Sequence, residues 1–371
     1  MTLSPVGDRP TIAGLHGVHD HTFTVADLDE AAAFFTSYFG AAPVSTGAEV
    51  RDAKGSSMRE HLNADVRAVI HRSQVLRTPF LNVRLLEATY PGQRTLWPGM
   101  LDVGGWHLAG YVDDMDAAVA FSQEADGVYV LGPGKKPTTN APEVGEGSYA
   151  AHLMTAFGFH FELLTYPHGR AYMADFDGRL WNPDEPDRGA ILRSADGPAV
   201  PGFRGFEHLS LAVADIEEAT GFFEGVLGCE RFYDMGPVAD PNGSGFGAYA
   251  NVDARVEVST VRLFRSPYLN FEVIEPRFPG QVRTWPQLLD VGGWQLGLSV
   301  DDLDEAVASV RAAGVRVLHA GRDETLLGGG RRRRASCLTS FGLSFDLLDG
   351  PPDAAGGLDG AVGWHPAHPE A

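Results

Sequence analysis

The chain has few cysteines, few basic residues and no long apolar run. Only Cys229 and Cys337 occur among 371 residues. That is too few for a disulfide framework, and two isolated thiols fit a reducing cytoplasm. Both read as small buried residues. Lysine and arginine number 29 against 49 acidic residues, for a formal net charge of −20. So acidic a surface repels phosphate backbones and argues against a nucleic-acid partner. No stretch of about 18 apolar residues is present to span a membrane. The first residues, "MTLSPVGDRP", lack the basic and apolar regions of a signal peptide. The expectation is a cytoplasmic monomer or homodimer with no membrane partner. What the chain does have is ample apolar content, 44%, and repetition.

"LDVGGWHLAGYVDD" begins at Leu101, and "LDVGGWQLGLSVDD" begins at Leu289, half the chain later. The same interval relates "VADLDEAAAFFTSYFG" from Val25 to "VADIEEATGFFEGVLG" from Val213, and "TPFLNVRLLEATYPGQ" from Thr78 to "SPYLNFEVIEPRFPGQ" from Ser266. Each half repeats within itself: "VADLDEA", "VDDMDAA", "VADIEEA" and "VDDLDEA" are four copies of one signature. An alternating apolar run precedes each copy and a helical apolar pattern follows. This places Asp27, Asp114, Asp215 and Asp302 as helix N-caps. Further strands end in "NVRLLE", "FHFELL", "NFEVIE" and "LSFDLL". The unit is one strand, one helix and several strands, four times over. A single unit leaves a sheet face uncovered, so units should pair.

This pattern resembles the vicinal oxygen chelate superfamily of glyoxalase I, bleomycin-resistance proteins and extradiol dioxygenases. The resemblance implies an α+β fold in which βαβββ modules pair into cupped sheets, each closing around one metal site. It divides the chain into an N-terminal domain at 12–170, a Pro- and Gly-rich linker at 171–202, a C-terminal domain at 203–350 and a flexible tail at 351–371. In the family each module carries one ligand on its first strand, five residues before the signature Val, and one on its last strand. Carried over, the first-strand positions are Asp20, His107, His208 and Gln295. In the last strands the shared pattern apolar-X-apolar-apolar puts Arg84, Glu162, Glu272 and Asp346 at X. Strand alternation favours Glu272 over Glu275, which falls on the opposite face.

With modules paired inside each half, the C-terminal cup offers His208, Glu272, Gln295 and Asp346. These would hold one divalent ion (Fe, Mn, Co, Ni or Zn). The N-terminal cup offers Asp20, Arg84, His107 and Glu162. Arg84 cannot ligate a metal, so this cup reads as degenerate, an Asp20–Arg84 pair standing where the metal was. His19 or His21 could ligate only if the strand slipped by one residue. "GGGRRRRAS", with Arg331, Arg332, Arg333 and Arg334, reads either as a loop clamping an anionic substrate or as a solvated face. The implied function is a metal-dependent enzyme on a small-molecule substrate, of isomerase, epimerase or lyase type, with Glu272 and then Asp346 as the proton-moving carboxylate. The alternatives are an Fe(II) dioxygenase, which Gln295 disfavours for want of a second His, and a metal-free drug-binding protein.

Overall fold

A computed structural model describes residues 12–52, 57–78, 81–137, 149–165, 199–239, 245–266, 269–325 and 331–349. The expected tail and all but the last four residues of the expected linker lie outside these. Module one comprises β1 (Leu15–Val25), α1 (Leu28–Phe39), β2 (Ala42–Gly47), β3 (Val50–Arg51), α2 (Ser57–Leu62), β4 (Val69–Thr78) and β5 (Leu81–Thr89). Module two comprises β6 (Trp106–Val112), α3 (Met115–Glu124), β7 (Val128–Val130), β8 (Lys136–Pro137), β9 (Tyr149–Thr155) and β10 (His160–Thr165). Module three comprises β11 (Phe203–Ala212), α4 (Ile216–Gly225), β12 (Glu230–Met235), β13 (Val238–Ala239), α5 (Phe246–Ala250), β14 (Glu257–Arg265) and β15 (Asn270–Arg277). Module four comprises β16 (Trp294–Val300), α6 (Leu303–Ala312), β17 (Arg316–Thr325), β18 (Arg331–Leu338) and β19 (Ser344–Asp349). The four aspartates cap α1, α3, α4 and α6, each carboxylate accepting from first-turn backbone N–H groups. Such caps contribute about 1 kcal/mol each. Among the described residues no helix is long and apolar enough to cross a membrane.

The fold is α+β, built on two large mixed sheets, but the modules do not pair within each half as expected. One sheet runs β17-β18-β19-β16-β1-β5-β4-β2, so module one joins module four. The other runs β12-β14-β15-β11-β6-β10-β9-β7 and joins module three to module two. The seams are antiparallel pairs of first strands, β1 with β16 (His21↔Leu296) and β6 with β11 (Ser210↔His107). The inner modules, two and three, thus make one cup, and the outer modules, one and four, make another.

Modules of the same half touch through their backs instead. Phe39 of α1 reaches across the halves to Phe203 and Phe206 of β11, while Phe34 packs on Phe161 of β10 within its own half. Phe222 of α4 meets Phe345 of β19 in the same manner. One apolar cluster therefore runs through both sheets.

The repeated "LDVGGW" is the joint between the sheets. Trp106 Nε1 donates to the Gly292 carbonyl at 2.9 Å, and Trp294 Nε1 donates to the Gly104 carbonyl at 3.0 Å. Asp102 accepts from the Gly99 and Val282 amides, while Asp290 accepts from those of Gln287 and Arg94. Gly104 and Gly292 have φ of +81° and +76°, and a Cβ on either would strike Trp285 or Trp97 within 3.0 Å. Two copies of the turn persist because each braces the other. The residues that follow them, His107 and Gln295, differ because they serve different cups.

Candidate metal centre

Strands β15, β11, β6 and β10 lie side by side at the middle of the inner sheet. Each places one ligand-competent side chain on the cup face: Glu272, His208, His107 and Glu162. Alternation decides the face. Leu209 and Leu108 point into the apolar cluster, so their neighbours His208 and His107 point the other way. Donor atoms of His107, His208 and Glu272 lie within 4.8 Å of one another, as do those of His107, His152 and Glu162. Glu162 Oε2 sits 3.4 Å from His107 Nε2 and 3.5 Å from His208 Nε2, and Glu272 Oε2 is 3.9 Å from both nitrogens.

These buried groups fit a divalent ion. Nε2 of both histidines has no hydrogen-bond partner, which is costly unless a cation takes the lone pairs. An ion about 2.0–2.2 Å from each donor sets donor separations of roughly 3–3.6 Å, close to those found. His208 is also held from behind. Its Nδ1–H donates to Glu207 Oε2 at 2.5 Å, and Glu207 Oε1 accepts from Asn270 Nδ2 at 2.6 Å. This fixes the tautomer that turns Nε2 toward the centre. Burial pulls the His208 imidazole down, but the charge and hydrogen bond of Glu207, with Glu272 and Glu162, push it up to about 9. Burial likewise raises Glu162, yet His152, His107 and His208 hold its carboxyl below the usual range. The centre is a concentration of negative charge that draws in a positive one.

Four positions proposed from sequence as one site are thus separated. His208 and Glu272 stand with His107 and Glu162, while Gln295 and Asp346 line the outer cup with Asp20 and Arg84. The reason is strand pairing: the alternation fixes which face a residue takes, but not which module lies alongside. Gln295 Nε2 donates to Asp346 Oδ2 at 2.7 Å, and Asp346 also takes Ser336 Oγ at 2.7 Å and Arg334 Nε at 3.3 Å. Asp346, expected as the second proton-moving carboxylate, thus stands in the outer cup, apart from Glu272. Asp20 accepts from His19 Nδ1 and Thr22 Oγ1 at 2.9 and 2.8 Å. Among the described residues it makes no direct pair with Arg84, which reaches it only through its field. Glu275 lies off the cup face, paired with Arg277. His21 faces the apolar interior beside Trp106, Phe23 and Trp294.

The arginine run is not a loop. It opens β18, where Arg332 and Arg334 are buried on the cup face and Arg333 reaches outward to Asp304. The side chain of Arg331 lies outside the described residues.

Glu207 has no place in the sequence reading, and His152 enters it only as a histidine near the N-terminal cup, with no role assigned. A bulge explains the first: Phe206 pairs with Gly110 and His208 with Ala109, leaving Glu207 as the extra residue on β11. His152 could have been found by alternation, since it lies opposite Glu162 on the neighbouring β9.

Residues 207–332 match the Glyoxalase/Bleomycin resistance protein/Dioxygenase superfamily. A 2-epi-5-epi-valiolone epimerase from Actinomyces sp is 35% identical over 173 residues, which are 47% of this chain and 92% of that protein. A crystal structure from Bacillus subtilis subsp. subtilis str. 168, named as a candidate dioxygenase, matches 97% of this chain and 91% of its own, with 13% identity and a TM-score of 0.53. The four modules, the two cupped sheets and these likenesses place the chain in the glyoxalase/bleomycin resistance protein/dioxygenase superfamily.

Proposed function

We propose that the chain is a divalent-metal-dependent epimerase acting on a small polyhydroxylated ketone. The convergence of His107, Glu162, His208 and Glu272 on one centre carries this reading. Two imidazoles and two carboxylates suit Mn, Fe, Co, Ni or Zn. A bound ion supplies Lewis-acid polarisation of vicinal substrate oxygens. Epimerisation beside a ketone takes a proton from one face of the carbon and returns one to the other. The two carboxylates stand on β15 and β10, at opposite ends of the four-strand centre, and so flank a substrate from two sides. Glu272 takes the first proton, since its side chain is 19% exposed and reaches substrate more freely than Glu162 at 9%. Glu162, braced by His152 at 3.4 Å, passes a proton taken from solvent water to the opposite face, while Glu272 releases its proton to solvent. The likeness to a 2-epi-5-epi-valiolone epimerase supports both reaction and substrate class.

The test incubates the chain, stripped and reloaded with single metals, with 2-epi-5-epi-valiolone in D2O. One metal per chain and solvent deuterium at the epimerised carbon are expected. His107→Ala and His208→Ala should each empty the site, though they belong to different halves, and Gln295→Ala should leave it filled. Glu272→Gln should slow exchange about 10²-fold or more. Metal retained by His107→Ala, or product without deuterium, overturns the reading. One observation favours a second reading: His107, His208 and Glu272 together form the two-histidine, one-carboxylate set of Fe(II) oxygenases. Oxygen uptake by the Fe(II)-loaded chain distinguishes it.

A further inference from the structure

The inner cup has a flank that the metal chemistry leaves unused. There module two turns from Leu131 into β8, and the Leu131 amide ties the turn to β9 by donating to the His152 carbonyl at 2.9 Å. On β8, Lys136 pairs with Ala150 of β9, and Ala150 pairs with Leu164 of β10. Residues directly opposite across strands share a face. Two steps along each strand lead from Ala150 to His152 and from Leu164 to Glu162, so this is the cup face. Lys136 therefore stands on it, in one row with Ala150 and Leu164. Between Lys136 and the candidate centre, Ala109, Ala150 and Leu164 pack into a small apolar floor.

Tyr249 closes this flank from the other module. It sits on α5 of module three, and the Lys136 ammonium lies over its ring, Nζ 4.0 Å from the centroid. The same ring is 6.2 Å from that of His152. Gly132, with a φ of +58°, comes so close that a Cβ there would meet Tyr249 Cδ1 at 2.9 Å, so the turn is shaped to receive the ring. A cation–π contact holds an ammonium in place without neutralising it. The charge also bears on the centre: burial pulls the Lys136 ammonium down, and the carboxylates that oppose this are Glu162 and Glu272. The contact belongs to the inner cup. At the matching point of the repeat the outer cup has His61, whose ring lies against His319.

Distance decides which part of a substrate Lys136 meets. β8 is three strands from β6, about 14 Å at a spacing of about 4.8 Å. The lysine stem spans part of that gap and brings its donors to the far side of a small molecule chelated at the centre. We propose that Lys136 is a substrate-binding residue of the inner cup. Its ammonium donates to hydroxyl oxygens at the end of the polyol remote from the metal, and Tyr249 is the positioning residue that holds it there. The proposal rests on the metal-dependent reading above and adds to it the group that selects polyhydroxylated ketones over simple ones.

The Co(II)-loaded chain is titrated with two hydroxamates, and the visible Co(II) bands report binding without turnover. Acetohydroxamate chelates a metal but has no polyol; gluconohydroxamate carries the same chelating group on a polyol chain. The wild type should bind gluconohydroxamate more tightly. Lys136→Met, which keeps the length of the stem, should weaken gluconohydroxamate about ten-fold or more and leave acetohydroxamate unchanged. Lys136→Arg should recover part of the loss. Tyr249→Leu should show the same selectivity with a smaller loss and serves if Lys136→Met fails to fold. Equal changes for the two ligands, or no change for either, overturn the proposal while the metal reading stands. A wild type that binds neither hydroxamate overturns the metal reading and this proposal with it.

Discussion

Replacing His21 by Leu should make the protein markedly less sensitive to acid. His21 is 0% exposed, and neither ring nitrogen has a hydrogen-bond partner. Its ring lies 4.5 Å from Trp106 and 5.4 Å from Trp294. Burial drives the imidazole down to about 3, with Asp20 pulling weakly the other way. The folded pKa is therefore depressed below that of the unfolded chain. Well above pH ~6.5 the ring is neutral in both states and contributes nothing to the pH dependence. As pH falls through that value the unfolded chain takes up a proton that the folded chain refuses. At pH 5 the loss is 2.303RT times 1.5, about 2 kcal/mol, and it grows until about pH 3. The equivalent positions of the other three modules are Leu108, Leu209 and Leu296, all buried, so the fold accepts Leu there. Urea unfolding of both proteins at pH 8 and pH 5, in EDTA, gives the double difference, in which lost ring contacts and all other histidines cancel. On going from pH 8 to pH 5 the wild type should lose more stability than the variant, by the amount just worked out. Parallel losses in the two proteins would mean that the folded state admits a proton or water to His21, and the reasoning would fail.

Glu207→Gln keeps the shape of the support behind His208 but removes its charge. Metal affinity, measured by competition with a fluorescent chelator, should fall about 10–100-fold with the fold intact; unchanged affinity would show that Glu207 does not orient the ligand. Gly104→Ala puts a Cβ 2.6 Å from Pro286 Cδ and 2.8 Å from Trp285 Cδ2 at a φ of +81°. It should cost roughly 1–3 kcal/mol in chemical denaturation, and a neutral result would mean the joint between the sheets is loose.

The sequence made much of this legible, and the limit is physical. Helix starts were readable because Asp27, Asp114, Asp215 and Asp302 satisfy amides that nothing else would reach. The choice of Glu272 over Glu275 followed from a period of two. Neither signal says which first strand lies beside which. Strands β1, β6, β11 and β16 carry similar patterns and can each accept the edge of another. Their pairing, like the reciprocal Trp106 and Trp294 braces that join the two sheets, is made of long-range contacts with no local signature. The error over Gln295 and Asp346 came from there. The arginine run misled for another reason. Four like charges have no apolar alternation to announce a strand, yet β18 exists because β17 and β19 pair with it on both sides.

The nesting of the modules also sets the order in which the chain can close during synthesis. All strands of the inner cup exist once residue 277 has been made, whereas the outer cup lacks its second half until residue 349. Leu15 must wait for Val300, its partner across β1 and β16. At about 5–20 residues per second that delay is on the order of 15–60 s. Once residue 89 has been made, β1 has β5 on one side and an open edge on the other for the rest of it. A copy of β16 from a second nascent chain fits that edge as well as the chain's own. Exchange of module four between neighbours is the competing route, and the yield of dimer as a function of refolding concentration measures how often it wins.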